Sequence, residues 1–597
     1  MFVSIPHMLE ATIREYPDNL ALKMKKGDQF VEYTYRKMGQ TIRRLARALD
    51  ALGLKSGDKI AILSNNRPEW TITDFAVLVL RGVVVPIYQT LPPNQIAYLL
   101  HDSETRAIFV ENEEQYQKIL AIKAHLPQLQ FIFSIDPLPQ PPDIMDFEQL
   151  CRRGQQFGQV DPEQYNHWLA AIQPDDICSL VYTSGTTGAP KGVMLHHRGF
   201  ITDILEAEAV LNLRPDDVFL SFLPLSHLYE RLAGHWCPML RGASIFYSQG
   251  ISTVIDDIAI AHPTVIVSVP RLFEKIAAKV LTQVDESSYL KRKIFYWASR
   301  TGRRYHDAKY KGRPGAWLAH RYRLADKLVF SKIKAKLGGR LRYPIAGGAP
   351  LSVETLKFFE ALDTRIIEGY GMTETHLIIT LTPYGKTKYG SCGKPIGQVE
   401  VRIADDGEVL VKGPTLMAGY YNLPEVTRET IDSDGWLHTG DIGYLDHEGY
   451  LFLTDRKKNI IVTSGGKNIP AARVENLLKT SKYIDDVCLI GNQRNFISAL
   501  IIPNFETLTA WAQQHQLSFH NNPELVDHPA VIGLIAEEID VLQIELARFE
   551  KVKKFILLAE PLSIDRGELT PSLKIRRAVI EQKYKAEIDQ LYESVLE

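Results

Sequence analysis

Little in this chain of 597 residues marks a specialised environment, and each scarcity closes off a class of protein. Cysteine is scarce: Cys151, Cys178, Cys237, Cys392 and Cys488 stand far apart, without CxxC or metal-ligand spacing. Disulfides and a structural zinc are therefore not expected, and reduced, packed thiols are. Long apolar runs are missing too. The most apolar stretch, FAVLVLRGVVVPIY from Phe75 to Tyr88, is interrupted by Arg81 and too short to span a bilayer. The N-terminal MFVSIPHMLEATIREYPDN lacks the basic region and apolar run of a secretory signal, so a cytoplasmic location is expected. No repeat period and no low-complexity tract stands out. With 45% hydrophobic and 23% charged residues, what remains is a large globular chain, long enough for roughly three to four ordinary domains.

Net charge is also low, at -2, but it is unevenly spread. Lys291 to Arg342 holds seventeen lysines and arginines against two acids, Asp307 and Asp326, a local excess of +15 that leaves the rest of the chain near -17. Aromatics are interleaved with the cations: Phe295, Tyr296, Trp297, Tyr305, Tyr310, Trp317, Tyr322 and Phe330. No nucleic-acid fold signature accompanies the run, so nucleic acid is not the expected partner. An anionic membrane surface, contacted peripherally from the cytoplasm, suits basic residues mixed with amphipathic aromatics. An acidic carrier protein, the phosphates of a nucleotide-like ligand, and a merely solvated helical surface remain open as alternatives.

From the start to about residue 370, short β-branched runs alternate with helical patterns: KIAILS at Lys59, AIFV at Ala107, CSLVYTS at Cys178, VFLSFLP at Val218, TVIVSV at Thr264 and RYPIAGG at Arg342. That alternation predicts parallel sheets covered by helices. Between Gly390 and Asp455, EVRIADDGEVLVKGP and IGYLDHEGYLFLTDR each read as two strands around a tight turn, hence antiparallel β. Beyond Arg456 the pattern is mixed, with a helix at Ala471 to Leu478, a strand at Asp486 to Gly491 and a long charged helix from Lys574 towards the end. The expected fold is α/β: a large N-terminal domain (1–455) of helix-covered, mainly parallel sheets with a small β subdomain, then a smaller mobile α+β C-terminal domain (456–597).

The segment YTSGTTGAPKG, Tyr182 to Gly192, carries the first chemistry. Thr183, Ser184, Thr186 and Thr187 offer hydroxyls, Gly185 and Gly188 let backbone amides approach an anion closely, and Lys191 adds a cation. By chemistry this is a phosphate cradle. It is not a Walker loop, because only two residues separate Gly185 from Gly188 and Gly192 follows Lys191.

The segment closely resembles the phosphate loop of the AMP-forming adenylating enzymes, the superfamily of acyl-CoA synthetases, firefly-type luciferases and peptide-synthetase adenylation domains. FLPLSHLYER from Phe222, EGYGMTET from Glu368, HTGD from His438, DRKKNIIVTSGGKNI from Asp455 and ELTPSLKIRR from Glu568 follow in that family's order, so the likeness spans nearly the whole chain. Within the superfamily the last two motifs look most like long-chain fatty acyl-CoA synthetases, as does the basic insert ahead of YPIAGGAPLS.

The resemblance implies a two-step ligase that uses ATP, Mg2+ and CoA. A carboxylate is a poor electrophile, so attack on the α-phosphate of ATP first gives an acyl-AMP and pyrophosphate, and a thiolate then attacks the activated carbonyl. It assigns the β- and γ-phosphates to the loop from Thr183 to Lys191 and Mg2+ to Glu374, a hard oxygen ligand. Tyr370 packs on adenine, Gly347, Gly348 and Ala349 let backbone lie near the base, and Glu368, Gly369, Gly371, Met372 and Thr373 complete the nucleotide site, with Thr373 at the α-phosphate. Asp441 and Arg456 take the ribose hydroxyls. Alone, Asp441 reads as a turn aspartate and Arg456 as a surface cation.

Lys574 bridges substrate carboxylate and α-phosphate in the family, a role that suits a point charge on a flexible stem. The motif here has Leu573 where many relatives have glycine; as a local reading, Lys574, Arg576 and Arg577 also suit a basic helix start. The family rotates its C-terminal domain about a hinge, here Lys458, which withdraws Lys574 and brings Ser464, Gly465, Gly466 and Lys467 against the pantetheine arm. His227 falls at the acyl wall by resemblance and equally reads as a core histidine. No phosphopantetheine attachment segment follows Lys574, so the thiol acceptor is expected on a separate molecule. The expected activity is activation of a long-chain fatty acid and transfer to CoA. The rivals are a ligase using holo acyl carrier protein and a non-catalytic acyl-nucleotide binding protein. Chain length and oligomeric state leave no readable signature.

Overall fold

A computed structural model describes residues 2–139, 144–157, 163–183, 189–250, 253–563, 566–570 and 575–593. The runs expected as buried strands are short, apolar and β-branched, and they form sheets that helices cover. Lys59–Leu63, Val83–Ile87, Ala107–Val110 and Phe131–Ser134 run parallel in a seven-stranded sheet whose far edge is antiparallel: Ile177–Thr183, Lys191–His196 and Gly419–Tyr420. A nine-stranded sheet has Ser244–Tyr247, Val218–Ser221, Val265–Ser268, Tyr343–Ala346 and Ile367–Tyr370 parallel at its centre, with antiparallel strands at both edges. The two reversals expected between Gly390 and Asp455 build a four-stranded antiparallel sheet of Glu400–Ile403, Glu408–Lys412, Leu437–Leu445 and Leu451–Arg456. The architecture is thus α/β, with mainly parallel sheets and a small β subdomain, as the alternation of patterns predicted.

Beyond Arg456 the chain forms a hairpin of Ile460–Val462 with Asn468–Pro470 and a three-stranded sheet of Ile484–Ile490, Ser498–Pro503 and Lys554–Leu557. Helix Ala471–Leu478 lies where the sequence placed it. The long charged helix expected towards the end is instead two short helices, Arg577–Lys583 and Lys585–Glu593, broken at Tyr584 (φ -101, ψ 26). Ile580 and Ile588 are both buried in one cluster against this sheet. Eight residues apart on a straight helix they would point about 80° away from each other, so the break serves their common burial.

One buried ion pair joins the two large sheets. Arg231 follows FLPLSHLYE and lies in the π-helical turn Glu230–Trp236, 1% exposed. Its guanidinium donates to both carboxylate oxygens of Asp74, on helix Pro68–Val79, and through Nη1 to the Ser179 hydroxyl at 2.7 Å, on the seven-stranded sheet. It is also within cation–π distance of Trp236 (4.6 Å) and Trp70 (5.6 Å). Beside it, Glu230 is fully buried and neither carboxylate oxygen has a hydrogen-bond partner of good geometry among the described residues. Burial pushes its carboxyl up to about 8, a rise that nearby Ser221 only tempers.

These two neighbours predict opposite stability behaviour. Arg231→Leu strands the Asp74 carboxylate and should lower unfolding free energy by about 3 to 5 kcal/mol in urea titrations; a loss below 1 kcal/mol would contradict the pair's role. For Glu230 the folded state holds its proton more tightly than the unfolded chain, so burial costs stability progressively as pH rises from the ordinary carboxylate range through about 8. Glu230→Gln should therefore melt several degrees above the parent at about pH 9, with the difference closing near pH 5.

Candidate active site

The YTSGTTGAPKG segment joins two antiparallel strands, Ile177–Thr183 and Lys191–His196, with Thr183 opposite Lys191. Ser184, Gly185, Thr186, Thr187 and Gly188 lie outside the described residues. A strand-to-strand reversal here, where a Walker loop joins strand to helix, agrees with the spacing argument against that motif.

Lys191 and Glu374 meet at a residue the motif reading did not pick out. Tyr420 pairs with Val193 across the sheet edge, its hydroxyl donates to Glu374 Oε1 at 2.8 Å, and Lys191 Nζ sits 4.1 Å from the centre of its ring. The two opposite charges share one phenol, Lys191 on its face and Glu374 on its hydroxyl. Burial holds the Lys191 ammonium below the usual lysine range, against the pull of Glu374. The backbone adds to the link, since Met417 N–H donates to the Glu374 carbonyl (2.8 Å), Ala418 N–H to Met194 (3.0 Å) and Tyr421 N–H to Gly192 (2.8 Å).

Glu374 stands in the short 3-10 turn Thr373–Thr375, closed by the Met372 carbonyl accepting from the Thr375 hydroxyl. His376 then turns left-handed (φ +59) and buries its ring beside His196, centroids 4.5 Å apart. Its Nδ1 lies 2.7 Å from the Thr415 carbonyl and must donate to it, so that in the neutral ring Nε2, which lies 3.0 Å from the His196 amide nitrogen and 3.1 Å from the His196 carbonyl oxygen, accepts from the amide. Burial pushes this imidazole down to about 3, consistent with that form. Gly371 is constrained by its neighbours: a Cβ there would fall 1.3 Å from the Leu377 carbonyl oxygen.

Two of the adenosine candidates, Tyr370 and Arg456, converge on a third, Asp441. Tyr370, ending strand Ile367–Tyr370, donates from its hydroxyl to Asp441 Oδ2 at 2.6 Å, and Arg456 Nε donates to Oδ1 at 2.9 Å. Asp441 and Arg456 are directly paired residues of adjacent strands. Gly347, Gly348 and Ala349 leave the carboxyl end of Tyr343–Ala346, with Gly348 left-handed (φ +82). Glu368 is buried, its Oε2 has no partner among the described residues, and burial lifts its carboxyl to about 8. Gly369 pairs with Leu381.

His227 is half-buried, and its Nδ1 accepts from Tyr229 N–H at 3.1 Å. Tyr229 instead reaches the carboxyl ends of two parallel strands: its hydroxyl spans the carbonyls of Ser268 (3.1 Å) and Ile345 (3.2 Å), and its ring lies beneath Gly347. Lys458, in the turn Lys457–Asn459, is one of the charges felt by Lys191. Lys457 before it is tied to Asp406 and Glu408. Ser464, Gly465, Gly466 and Lys467 form the tip of the Ile460–Val462 hairpin, where Ser464 bonds Asn495 (2.7 Å) and Lys467 lies over Phe549. Lys574 lies outside the described residues; on either side, Leu569 and Ile575 form an antiparallel bridge. Arg577 is turned inward to Glu475 and the Leu489 carbonyl, a packing role.

Sequence reasoning missed Tyr420, Tyr229, Arg231 and His376. Tyr420 sits in MAGYYN, whose two-residue strand has no readable period, Tyr229 and Arg231 lie inside a motif already assigned through neighbours, and His376 falls one residue past the end of EGYGMTET. The comparisons agree with the motif order. The AMP-binding enzyme model matches residues 9–421, and that of the AMP-binding enzyme C-terminal domain matches 458–596. Long-chain-fatty-acid-CoA ligase FadD15 of Mycobacterium bovis is 33% identical over 582 residues, covering 97% of this chain and 95% of that protein. Long-chain-fatty-acid-CoA ligase ACSBG2 of Xenopus laevis is 32% identical over 625 residues, covering 99% and 84%. Among solved structures, the anthranilate CoA ligase AuaEII bound to anthranoyl-AMP shares the fold at a TM-score of 0.75 and 22% identity, covering 99% of this chain and 98% of that one. With a family model spanning well over half of its length and near-full-length relatives above 30% identity, the chain belongs to the AMP-binding enzyme family.

Proposed function

We propose that the protein is an AMP-forming ligase that activates a long-chain fatty acid with ATP, releases pyrophosphate, and transfers the acyl group from acyl-AMP to the thiol of CoA. The single observation that carries the reading is the convergence of Tyr370, Arg456 and Asp441, which come from separate motifs and join in one hydrogen-bonded group. Each Asp441 oxygen accepts one bond there and keeps a lone pair for a ribose hydroxyl. The names of the near-full-length relatives favour CoA as acceptor over a carrier protein, and a ligase over a non-catalytic binding protein.

In this reading the 1–455 portion binds nucleotide and acyl chain, and 456–597 carries Lys574. Thr183 to Lys191 cradles the β- and γ-phosphates, and Tyr370 covers the adenine beside Gly347, Gly348 and Ala349. Glu368 to Thr373 lines the site, with Thr373 at the α-phosphate. Glu374 suits Mg2+: Oε1 is taken by Tyr420, while Oε2 accepts no hydrogen bond from the described residues and offers a hard oxygen. Bound there with ATP, the ion would neutralise phosphate charge. Lys574 draws carboxylate and α-phosphate together. Rotation about Lys458 then exchanges it for the Ser464 to Lys467 loop, whose glycines admit the pantetheine arm. His227 faces the acyl chain.

The basic segment supports peripheral contact with an anionic membrane. It folds as helices Tyr289–Lys311, Ala316–Ala325 and Ser331–Lys336. Leu290 (67%), Tyr289 (66%) and Trp317 (68%) are strongly exposed, an expensive arrangement for a merely solvated face. Arg321 stacks on Trp317 at 4.6 Å, and Tyr289, Arg292, Lys293, Tyr296 and Arg300 line a cleft of about 370 Å³. Cations beside exposed aromatics match the boundary between headgroups and acyl chains.

The deciding assay follows AMP and thioester from labelled oleate, ATP, Mg2+ and CoA. Lys574→Ala should lose acyl-AMP formation by about a hundredfold or more yet still convert supplied oleoyl-AMP to thioester, whereas Lys458→Pro should do the reverse. No thioester from the parent with any chain length, or equal loss of both half-reactions in both variants, would overturn the reading. Replacing Arg292, Lys293 and Arg300 by glutamine should weaken binding to phosphatidylserine vesicles by about a hundredfold at low salt. Unchanged vesicle binding would remove the membrane contact.

A further inference from the structure

Two opposite charges in a half-buried site attract strongly, because partial desolvation lowers the local dielectric. Lys191 and Glu374 are such a pair, yet the structure puts an aromatic ring against one and its hydroxyl against the other. A phenol suits this spacing. Its face attracts the ammonium, and its O–H donates to the carboxylate, so each charge is satisfied without meeting the other. The ring is itself fixed: Tyr420 N–H donates to Thr427 Oγ1 at 2.9 Å, the strand Gly419–Tyr420 pairs with Val193 and Met194, and Met417 N–H holds the Glu374 carbonyl. Among the described residues, Lys458 and Glu429 also act on Lys191.

We infer that Tyr420 is a positioning residue, which keeps Lys191 and Glu374 apart and aimed, so that neither has to be released from the other when a polyphosphate nucleotide and its divalent cation enter. This rests on the reading of Lys191 as a phosphate ligand and of Glu374 as a cation ligand. The hydroxyl serves Glu374 and the ring serves Lys191, so the two functions of one side chain separate chemically. Tyr420→Phe removes only the hydroxyl. Tyr420→Leu removes hydroxyl and aromatic face, and leaves Lys191 and Glu374 free to pair.

The experiment is equilibrium binding of ATP to the full chain without fatty acid, once with EDTA and once with excess Mg2+. Tyr420→Phe should weaken Mg-ATP binding by about tenfold and leave metal-free ATP binding within about twofold of the parent. Tyr420→Leu should weaken metal-free binding as well, by about threefold or more. Equal weakening of both forms in Tyr420→Phe would reduce the residue to a structural prop, and no change in either form would remove its role altogether. If Tyr420→Leu fails to fold, the Tyr420→Phe contrast decides alone. Lys191→Ala and Glu374→Gln serve as controls for the underlying assignment: if Lys191→Ala keeps parental metal-free affinity and Glu374→Gln keeps parental Mg-ATP affinity, the functional reading of those residues fails, whatever Tyr420 does.

Discussion

An arginine buried to 1% exposure must be met by a charge, and Asp74 meets Arg231 with both carboxylate oxygens. Much else follows from that requirement. The pair can form only if the helix Pro68–Val79, the strand carrying Ser179 and the turn after FLPLSHLY come to one point, so it fixes how the two large sheets meet. Three consecutive residues are thereby sent in different directions. Tyr229 goes to the carboxyl ends of Val265–Ser268 and Tyr343–Ala346, Glu230 into a fully buried position beside Ser221 and His235 where desolvation raises its carboxyl, and Arg231 across to the other sheet. A π-helical turn accommodates this spread, and such turns gather where side-chain direction matters more than helix regularity.

The candidate site lies where the parallel strands of the nine-stranded sheet end and the antiparallel edge of the seven-stranded sheet begins. Carboxyl ends of parallel strands are the usual place for ligands in open α/β sheets, because the connecting loops there diverge and leave room. Here Gly347 to Ala349 and Tyr370 supply one wall, and Lys191 the other. The Thr415 to Tyr421 segment links the walls. It holds His376 through the Thr415 carbonyl, Glu374 through Met417, and the Lys191 strand through Ala418 and Tyr421. A change on either sheet edge is therefore felt by both charged groups.

Strands were legible wherever they were apolar, short and bounded by turn residues, as at Lys59–Leu63, Ala107–Val110 and Val265–Ser268. The paired reversals around Asp405-Asp406-Gly407 and His447-Glu448-Gly449 were legible from turn chemistry. The final helix was misread because its charge pattern continues through Tyr584, and only the need to bury Ile580 and Ile588 against one sheet shows the break. Tyr420 was illegible for a related reason. A tyrosine in a two-residue strand has no period, and its role exists only through partners 46 residues away at Glu374 and more than 200 away at Lys191.

Sequence by itself determined the class of fold, the order of the motifs and the chemical types at the site, because alternating apolar runs, turn residues, hydroxyls, glycines and a lysine act over short stretches of chain. Only the tertiary structure decided which of these groups touch. That Asp441 takes both Tyr370 and Arg456, that one phenol separates Lys191 from Glu374, and that Arg231 finds its carboxylate on a distant helix all depend on sheet order and strand register. Those are settled by the joint burial of many side chains, and no local pattern encodes them.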